Sequence, residues 1–294
     1  MKKTFEDVII DIFVIVVLLL LCVVCLYPYL NQIAIALNEG MDSARGGITI
    51  FPRKPTLENF KTLFADPGYT RAFGITVSRA ILNMVIQGLV VFGAAYALTR
   101  RNLMGRAFLT KFFALPSYIS AGLIPMYILY RYLGLINNFW VYVLPFSFVF
   151  YNMVIVRSFI QEIPESLEES ALLDGANEGV ILFRIILPLS LPVMATTALW
   201  TLVGQWNDWT TALYYVTNEK LYPLQYLMMR VIKQGDQLRQ QAILEAMGAD
   251  TSVQTTSESV KASMLIVTSV PIIMVYPFLQ KYFVKGVTLG AVKG

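Results

Sequence analysis

The side chains that most often carry enzyme chemistry are scarce in this sequence. It has no His, and so lacks the commonest general base and metal ligand. Cys22 and Cys25 have the C-x-x-C spacing that can hold a metal or a redox disulfide, but no second pair accompanies them. Both lie in a long apolar run, which favours plain buried thiols. The motif G-x-x-x-x-G-K-[ST], whose loop cradles ATP phosphates, does not occur. The sequence therefore predicts no metal, no bound cofactor and no ATP site within this chain.

Hydrogen bonding to a polar solute is a second kind of chemistry, and Trp206-Asn207-Asp208-Trp209 suits it. Sugars stack their C–H faces on aromatic rings, while their hydroxyls need donors and acceptors. These residues fall about 20 positions into an apolar run, near ~30 Å of helical rise. The alternative is an aromatic belt at the end of a membrane helix. The sequence leaves both interpretations open.

A row of polar residues also lies within an apolar run. Arg79, Asn83 and Gln87 recur at i, i+4 and i+8, and so share one helix face. Polar groups at membrane depth are costly, so this face is expected to contact a partner helix or an aqueous path rather than lipid. The spacing does not decide between interhelical contact and path lining.

The amino-acid composition indicates what kind of structure holds these residues. Hydrophobic residues make up 56% of the 294 residues and charged residues 14%, with a mean hydropathy of +0.61. Soluble domains are nearer about 45–50% apolar and about 25% charged. This is an integral membrane protein, and its net charge of +4 is too small and too spread out to indicate nucleic-acid binding.

Six stretches are long enough to cross a hydrocarbon core of ~30 Å, which needs about 20 apolar residues. The N-terminal run is too long for a secretory signal and is expected to be a retained span. Pro116 and Pro125 interrupt the third stretch, and Pro145 lies in the fourth. The stretches are 8–30, 72–98, 107–131, 139–160, 185–206 and 262–283. The sequence thus predicts an all-α, polytopic fold.

An even number of spans places both termini on one side of the membrane. The short loop Thr99–Gly105 carries Arg100 and Arg101, with Arg106 beside it, and basic short loops are cytoplasmic. Both termini and the acidic loop 161–184 are then cytoplasmic as well.

The two long loops, Asn31–Thr70 and Asp208–Ser259, are then external. The second contains an amphipathic helical candidate, Leu224 to Met247, and ends in a Thr/Ser tract, Thr251 to Ser259. A cap over the outer mouth and a docking surface for an external partner remain equally open for these loops.

The stretch from Ile163 to Pro192 is a long polar interruption between apolar runs. Pro164 suits a helix start, and the acidic residues that follow suit the positive end of the helix dipole. Asp174-Gly175 predicts a break, because Gly accepts the positive φ that ends a helix. A second helical piece is expected from about Asn177. The stretch therefore predicts a helix, a glycine corner and a second helix that leads into a span.

This stretch resembles the "EAA" loop of bacterial ABC importer permeases. The resemblance rests on Glu169-Ser170-Ala171, Asp174-Gly175-Ala176, Ile185 and Leu187-Pro188, with Ser170 where the family usually has Ala. It implies a cytoplasmic coupling helix that sits in a groove of a separate ATPase subunit. The implied coupling residues are Leu167, Glu168, Glu169, Ser170, Ala171, Asp174, Gly175, Ala176, Leu187 and Pro188. We expect Leu167 and Ala171 to face the ATPase.

Further segments resemble MalG-like permeases of the carbohydrate-uptake class. They are Pro55 to Phe60, Ala94 to Leu98 with Arg100, Leu133-Gly134-Leu135 with Asn137, Trp206 to Trp209, and Gly286 to Gly294. The long loop 208–259 and the segment Pro28 to Asn38 are similar to the LplC/YtcP-type branch, which is associated with complex oligosaccharides, including polyuronates such as alginate. Ile75-Thr76 stands where the family usually has Asn-Thr, which weakens transfer of a substrate.

The resemblance implies a type I ABC importer permease fold: a first helix and external loop at 1–71, a transmembrane core at 72–283 with the coupling loop at 161–188, and a cytoplasmic tail at 284–294. It also implies partners in the bacterial cytoplasmic membrane: a second related permease, two ATPase subunits that bind ATP-Mg, an extracytoplasmic solute-binding protein, membrane lipid and an oligosaccharide substrate. The residues expected along the substrate path are Arg79, Asn83, Gln87, Trp206, Asn207, Asp208 and Trp209.

Two other classes of protein fit the sequence less well. An ion-coupled secondary transporter would need charged residues deep in several spans and internal repeats, and no convincing repeat is visible. A membrane-embedded transferase or hydrolase would need a His or a paired acidic motif at membrane depth. Neither class explains an acidic helix with a glycine corner.

Overall fold

The computed structural model describes residues 5–233 and 257–291 of the chain. Over these residues the chain is helical, apart from loops and one isolated antiparallel bridge between Asn38 and Pro55. The predicted all-α fold is confirmed. The helices, numbered in chain order, are α1 (Phe5–Ala36), α2 (Gly40–Ala44), α3 (Glu58–Ala65), α4 (Pro67–Thr99), α5 (Arg106–Tyr118), α6 (Leu123–Tyr132), α7 (Phe150–Gln161), α8 (Glu165–Leu173), α9 (Glu178–Leu189), α10 (Leu191–Asn207), α11 (Thr210–Tyr215), α12 (224–233) and α13 (Ser257–Ala291). Short 3₁₀ turns occupy Phe139–Tyr142, Leu144–Phe146 and Glu219–Leu221.

The apolar helices match the predicted spans in order. In the described part of the chain, α1, α4 and Glu258–Val275 of α13 are each long and apolar enough to cross a membrane. Three bent pairs pass the same test together: α5 with α6 at 120°, Phe139–Phe146 with α7 at 45°, and α9 with α10 at 73°. If each bent pair is one span, the described residues hold six spans.

The interruption of the third span differs from the prediction. Pro116 lies inside α5, and the chain breaks after Tyr118. Gly122, with a φ of 81°, then precedes α6. Pro125 falls in the first turn of α6, where a missing N–H leaves no bond unmade. The left-handed backbone at Gly122, which Gly adopts readily, marks the break between the two prolines.

The fifth span contains a π-helix. α9 starts as an α-helix at Glu178–Val180, widens to a π-helix at Ile181–Ile186 and continues to Leu189. Pro188 offers no N–H to the carbonyl four residues earlier, and its ring crowds that carbonyl. A wider turn just before Pro188 relieves this conflict.

Two compact units form: Met1–Thr70 with Met228–Val270, and Arg71–Leu227 with Pro271–Gly294. In the first, α1 runs beyond Leu30, where the predicted span ended, to Ala36. Its large apolar side chains are exposed along most of its length, as lipid-facing residues would be. Cys22 and Cys25 are free, but both are exposed on α1. The expectation of buried thiols was wrong, because α1 has few described neighbours to cover them.

The predicted loop between the first two spans is folded by an asparagine network. Asn38 donates to Asp42 at 3.0 Å and accepts from the Lys54 amide at 2.6 Å. The buried Asn59 amide donates to the carbonyls of Ala36 and Asn38. The hydrogen bond from Asn38 keeps the pKa of Asp42 below its usual value, and Arg53 adds to that effect.

In the second unit, one buried cluster joins the last turns of α4 to α7 and α9. Ala95 of α4, Met153 and Val156 of α7, and Ile181 and Ile186 of α9 are fully buried in it. Between membrane helices such packing is held by van der Waals contact rather than by removal of the side chains from water. The cluster therefore holds α4, α7 and α9 together, and α8 packs against it through Ala171.

Some predictions fall partly outside the described residues. Of the helical candidate Leu224 to Met247, the structure describes 224–233, which is helical. Most of the Thr251 to Ser259 tract lies outside them. α13 continues past residue 283 to Ala291, and 292–294 of the predicted tail also lie outside the described residues.

Candidate functional site

The glycine corner forms as the sequence predicts. Gly175 has a φ of 81°. The Ala176 amide donates to the Ala171 carbonyl at 2.9 Å, and the Gly175 amide donates to the Leu172 carbonyl at 3.0 Å. These two bonds make a Schellman motif, which satisfies carbonyls that the helix end leaves unpaired. A Cβ at Gly175 would meet nothing within 4 Å, so the backbone angle alone requires Gly here.

The two helices beside the corner begin at caps. Pro164 is the N-cap of α8, one residue before the first turn in which it was expected. Glu165 and Glu168 occupy that first turn, at the positive end of the helix dipole. The Asn177 side chain caps α9 by accepting from the Val180 amide at 2.9 Å.

The exposed face of α8 differs from the prediction. Ala171 and Ala176 pack against the buried cluster of α4, α7 and α9, so Ala171 points into the chain rather than outward. Leu167, Leu172 and Leu173 are 43, 54 and 90% exposed. The sequence prediction missed Leu173, because the stripe through Leu167 and Ala171 was taken as the outward face. Glu169, Ser170 and Asp174 are exposed, and Leu187 is partly buried just before the exposed Pro188.

Arg100 ties both arms of the corner to the end of α4. Its guanidinium donates to Glu168 of α8 and to Glu178 of α9, the latter at 3.1 Å. It also lies 4.3 Å from the ring centre of Tyr96 and donates to the Tyr96 hydroxyl. Tyr96 in turn donates to Glu178 at 2.7 Å. We call Tyr96, Arg100, Glu168 and Glu178 the Arg100 clamp.

Burial lowers the pKa of Arg100, but the hydrogen bonds that Arg100 donates to Glu168 and Tyr96 outweigh it, so the pKa lies above its ordinary value. Arg100 therefore stays charged. Exposed ion pairs contribute at most about 1 kcal/mol each, so the clamp orients the corner more than it stabilises the fold.

The polar face of α4 is held by other parts of the chain. Arg79 is fully buried, pairs with Asp208 at 3.4 Å and lies 4.9 Å from the ring centre of Tyr142. Asn83 donates to the Val143 carbonyl at 3.0 Å. Asp208 also accepts from the amides of Thr210 and Thr211 beside it.

Contacts from other parts of the chain hold Gln87 at both ends of its amide. Its amide nitrogen donates to the Phe146 carbonyl at 2.7 Å. Its carbonyl oxygen accepts from Asn152 of α7 at 2.9 Å and from Thr201 of α10. Asn152 lies among apolar neighbours and has no polar residue at i±4, so no local signal marks it. Thr201 recurs with Thr197 and Gln205 at i, i+4 spacing on α10, a signal that the sequence prediction did not use.

A cleft of about 380 Å³ opens beside this face. Its lining includes Asn83, Gln87 and Asp208 of the residues expected along the substrate path, and Asn152, Trp200, Thr201 and Gln205 in addition. Trp206 packs edge-on against Phe73 at 6.1 Å and lines an apolar pocket instead. The Asn207 side chain is exposed and donates to the Val203 carbonyl, and Trp209 is half-buried. The Trp-Asn-Asp-Trp group is therefore split between two surfaces.

Known proteins resemble this chain over nearly its whole length. A family model described as "binding-protein-dependent transport system inner membrane component" matches residues 90–289. Protein LplC of Bacillus subtilis (strain 168) is 34% identical over 273 residues, which cover 92% of this chain and 90% of that protein. The polygalacturonan/rhamnogalacturonan transport system permease protein YtcP of the same strain is 31% identical, over 94% of this chain and 96% of that protein.

Among solved structures, a bacterial transporter has the same fold. The crystal structure is that of a bacterial ABC transporter involved in the import of the acidic polysaccharide alginate. A chain of it superposes with a TM-score of 0.85 at 24% sequence identity, covering 96% of this chain and 99% of that one. The fold predicted from the sequence agrees with this match.

Proposed function

This chain belongs to the binding-protein-dependent transport system inner membrane component family, and we propose that it is a permease subunit of an ATP-driven importer of oligosaccharides. Its role is transport, in keeping with the permease relatives. Its proposed location is the bacterial cytoplasmic membrane, with α8 and both termini on the cytoplasmic side.

The observation that carries the proposal is the way α8 is presented. Three leucines of this helix, Leu167, Leu172 and Leu173, are exposed, while the Arg100 clamp holds both arms of the corner. Leu172 and Leu173 lie at the end of this short helix beside the corner, and exposed apolar side chains on a helix suit helix-in-groove recognition. The proposed groove belongs to an ATPase subunit, which would bind ATP-Mg.

The proposed assembly contains this chain, a second related permease, two ATPase subunits and an extracytoplasmic solute-binding protein. Closure of the ATPase pair would move α8, and the Arg100 clamp would pass that movement to α4 and α9. Rotation of the spans would then exchange inward-open and outward-open states.

The proposed cargo is a complex oligosaccharide, including polyuronate fragments. YtcP, named for polygalacturonan and rhamnogalacturonan transport, is related over nearly the full length of both chains. The polar cleft beside α4 offers hydrogen-bonding groups and an aromatic ring, which such a solute requires.

The test is purification of the tagged chain from native membranes, followed by an ATPase assay with and without binding protein loaded with galacturonan oligosaccharides. We expect a second permease and an ATPase to co-purify, and loaded binding protein to stimulate hydrolysis. Recovery of the chain without any ATPase would overturn the proposal and favour ion-coupled transport.

A further inference from the structure

Two buried acceptors in the cleft beside α4 lack a donor. Asn83 is fully buried and Gln205 is 5% exposed, and both line the cleft. The Asn83 Nδ2 donates to the Val143 carbonyl, which fixes the amide so that Oδ1 is the end without a partner. Gln205 Oε1 is likewise without a partner. A buried acceptor left unsatisfied costs about 1–3 kcal/mol, so the pair favours a ligand that brings hydroxyl donors.

An aromatic surface borders the same cleft. Trp200 of α10 lines it and is 41% exposed. Tyr151 of α7, 66% exposed, stacks on Trp200 with ring centres 6.3 Å apart and planes 25° from parallel. Because Tyr151 already holds the Trp200 ring in place, a flat apolar face of a ligand can pack on that ring at little further cost in side-chain freedom.

The charges near the cleft are paired within the chain. Asp208 accepts from Arg79 and from the amides of Thr210 and Thr211, so its oxygens are engaged. Arg79 is fully buried beneath Tyr142 and is directed at Asp208. The cleft therefore presents neutral acceptors and a ring to a ligand, rather than a free cation to a carboxylate.

We propose that this cleft is a pyranose-binding subsite of the transport path, in which Asn83 Oδ1 and Gln205 Oε1 accept hydrogen bonds from ring hydroxyls and Trp200 packs against the C–H face of the sugar. The cleft volume, about 380 Å³, lies at the low end of the range for small-molecule sites, roughly 300–1,000 Å³, which fits one ring of a longer chain. The inference rests on the proposed import function. In this proposal the chain binds the hydroxyls and the C–H face of the sugar, and it makes no contact with a uronate carboxylate.

Gly204 provides a probe of the cleft. It lines the cleft and is exposed, and a Cβ there would meet nothing within 4 Å, so Gly204→Cys fits without displacing a neighbour. Gly93 of α4 is also exposed and equally open, and it is not among the residues that line the cleft. Both variants are made in a Cys22→Ser/Cys25→Ser background, which removes the thiols of the chain itself.

The assembled transporter is trapped with vanadate during uptake of galacturonate trisaccharide or of uncharged galactotriose, and maleimide labelling is then measured. We expect either sugar that is taken up to slow labelling of Gly204→Cys at least about fivefold, and neither to affect Gly93→Cys. Gln205→Leu and Trp200→Leu should each abolish the protection, whereas Trp200→Phe should keep most of it. A hydrogen bond or ring contact of about 1 kcal/mol corresponds to a change of about fivefold.

Uptake and stimulated ATP hydrolysis without protection at Gly204→Cys would overturn the subsite while leaving the proposed function intact. Protection that survives Gln205→Leu and Trp200→Leu would also overturn it. Labelling that is blocked before any sugar is added would show that the second permease fills the cleft, with the same consequence. Loss of uptake and stimulation in the cysteine-free parent itself would instead contradict the proposed function.

Discussion

At Gly175 a single backbone angle sets the direction of the chain between α8 and α9. Its φ of 81° is in the left-handed region, and the space around its missing Cβ is open. For residues other than Gly, and occasionally Asn or Asp, this backbone conformation costs roughly 1–2 kcal/mol. Because no atom crowds the position, the conformational cost can be separated from any steric clash.

Gly175→Val should therefore uncouple ATP hydrolysis from uptake, with uptake falling about tenfold for a cost of roughly 1.4 kcal/mol. Gly175→Asn should stay near the parent rate, because Asn tolerates left-handed backbone. Uptake in cells and ATPase activity of the purified complex are measured together. Equal uptake by the Val and Asn variants would contradict a role for the corner angle.

The residues of the cleft show where a spacing argument ends. Asn83 and Gln87 share a helix face as the i, i+4 spacing requires, but only Asn83 keeps an acceptor without a partner. Asn152 and Thr201 donate to the carbonyl oxygen of Gln87. They lie on two other helices, 65 and 114 residues away in sequence. No local pattern encodes such contacts, so the division between path lining and interhelical contact follows from tertiary structure.

At the scale of helices, the Arg100 clamp joins α4, α8 and α9. Glu168 and Glu178 lie on opposite sides of the corner and are 68 and 78 residues from Arg100 in sequence. The neighbouring Arg101 pairs with Glu165, but both of those side chains are at least 80% exposed. The two adjacent arginines thus offer a matched comparison.

Arg100→Ala should lower uptake about tenfold while the chain still inserts and the ATPase still binds. The loss combines two partly exposed ion pairs and a ring contact, each about 0.5–1 kcal/mol. Arg101→Ala should change uptake less than twofold. Uptake per hydrolysed ATP is the measurement, and an equal effect of both variants would indicate a general charge effect instead of the clamp.

The exposed C-terminal end of α8 gives a second prediction at this scale. Leu173, 90% exposed, should enter the ATPase groove, and burying a leucine contributes about 1.5–3 kcal/mol. Leu173→Glu should therefore weaken co-purification of the ATPase at least tenfold at an unchanged membrane level. Met104→Glu, at a loop residue 93% exposed, is the control. Full co-purification with Leu173→Glu would exclude Leu173 from the interface.

The sequence was sufficient for elements whose signal is local. The Asp-Gly pair predicted the corner, and the apolar stretches predicted, in order, the three long apolar helices and the three bent pairs. It misplaced what depends on neighbours. Ala171 faces inward because it packs against the cluster of α4, α7 and α9. Pro116 and Pro125 do not themselves break the third span, since each lies within a helix. The break falls between them, at the left-handed backbone of Gly122. The sequence could not predict the Arg100 clamp, because its residues lie far apart in sequence and come together only in the folded chain.

For the whole molecule, the path of the coupling signal depends on which side of the membrane α8 occupies. α4 connects the segment that contains Phe51 to the loop that contains Met104, and it is long enough for one crossing. These two residues should thus lie on opposite sides. The arginines after α4 favour the cytoplasm for Met104, and the Arg100 clamp joins α8 to that same end of α4.

Phe51→Cys and Met104→Cys, each in the Cys22→Ser/Cys25→Ser background, test this arrangement, because the two side chains are 80 and 93% exposed. A membrane-impermeant maleimide should label Phe51→Cys in intact spheroplasts. It should label Met104→Cys only after permeabilisation. Reversed labelling would place α8 outside, away from ATP, and no ATPase could then drive transport through it. Labelling of Phe51→Cys in intact spheroplasts, and of Met104→Cys only after permeabilisation, would place α8 in the cytoplasm. A cytoplasmic ATPase could then bind its exposed leucines beside the Arg100 clamp.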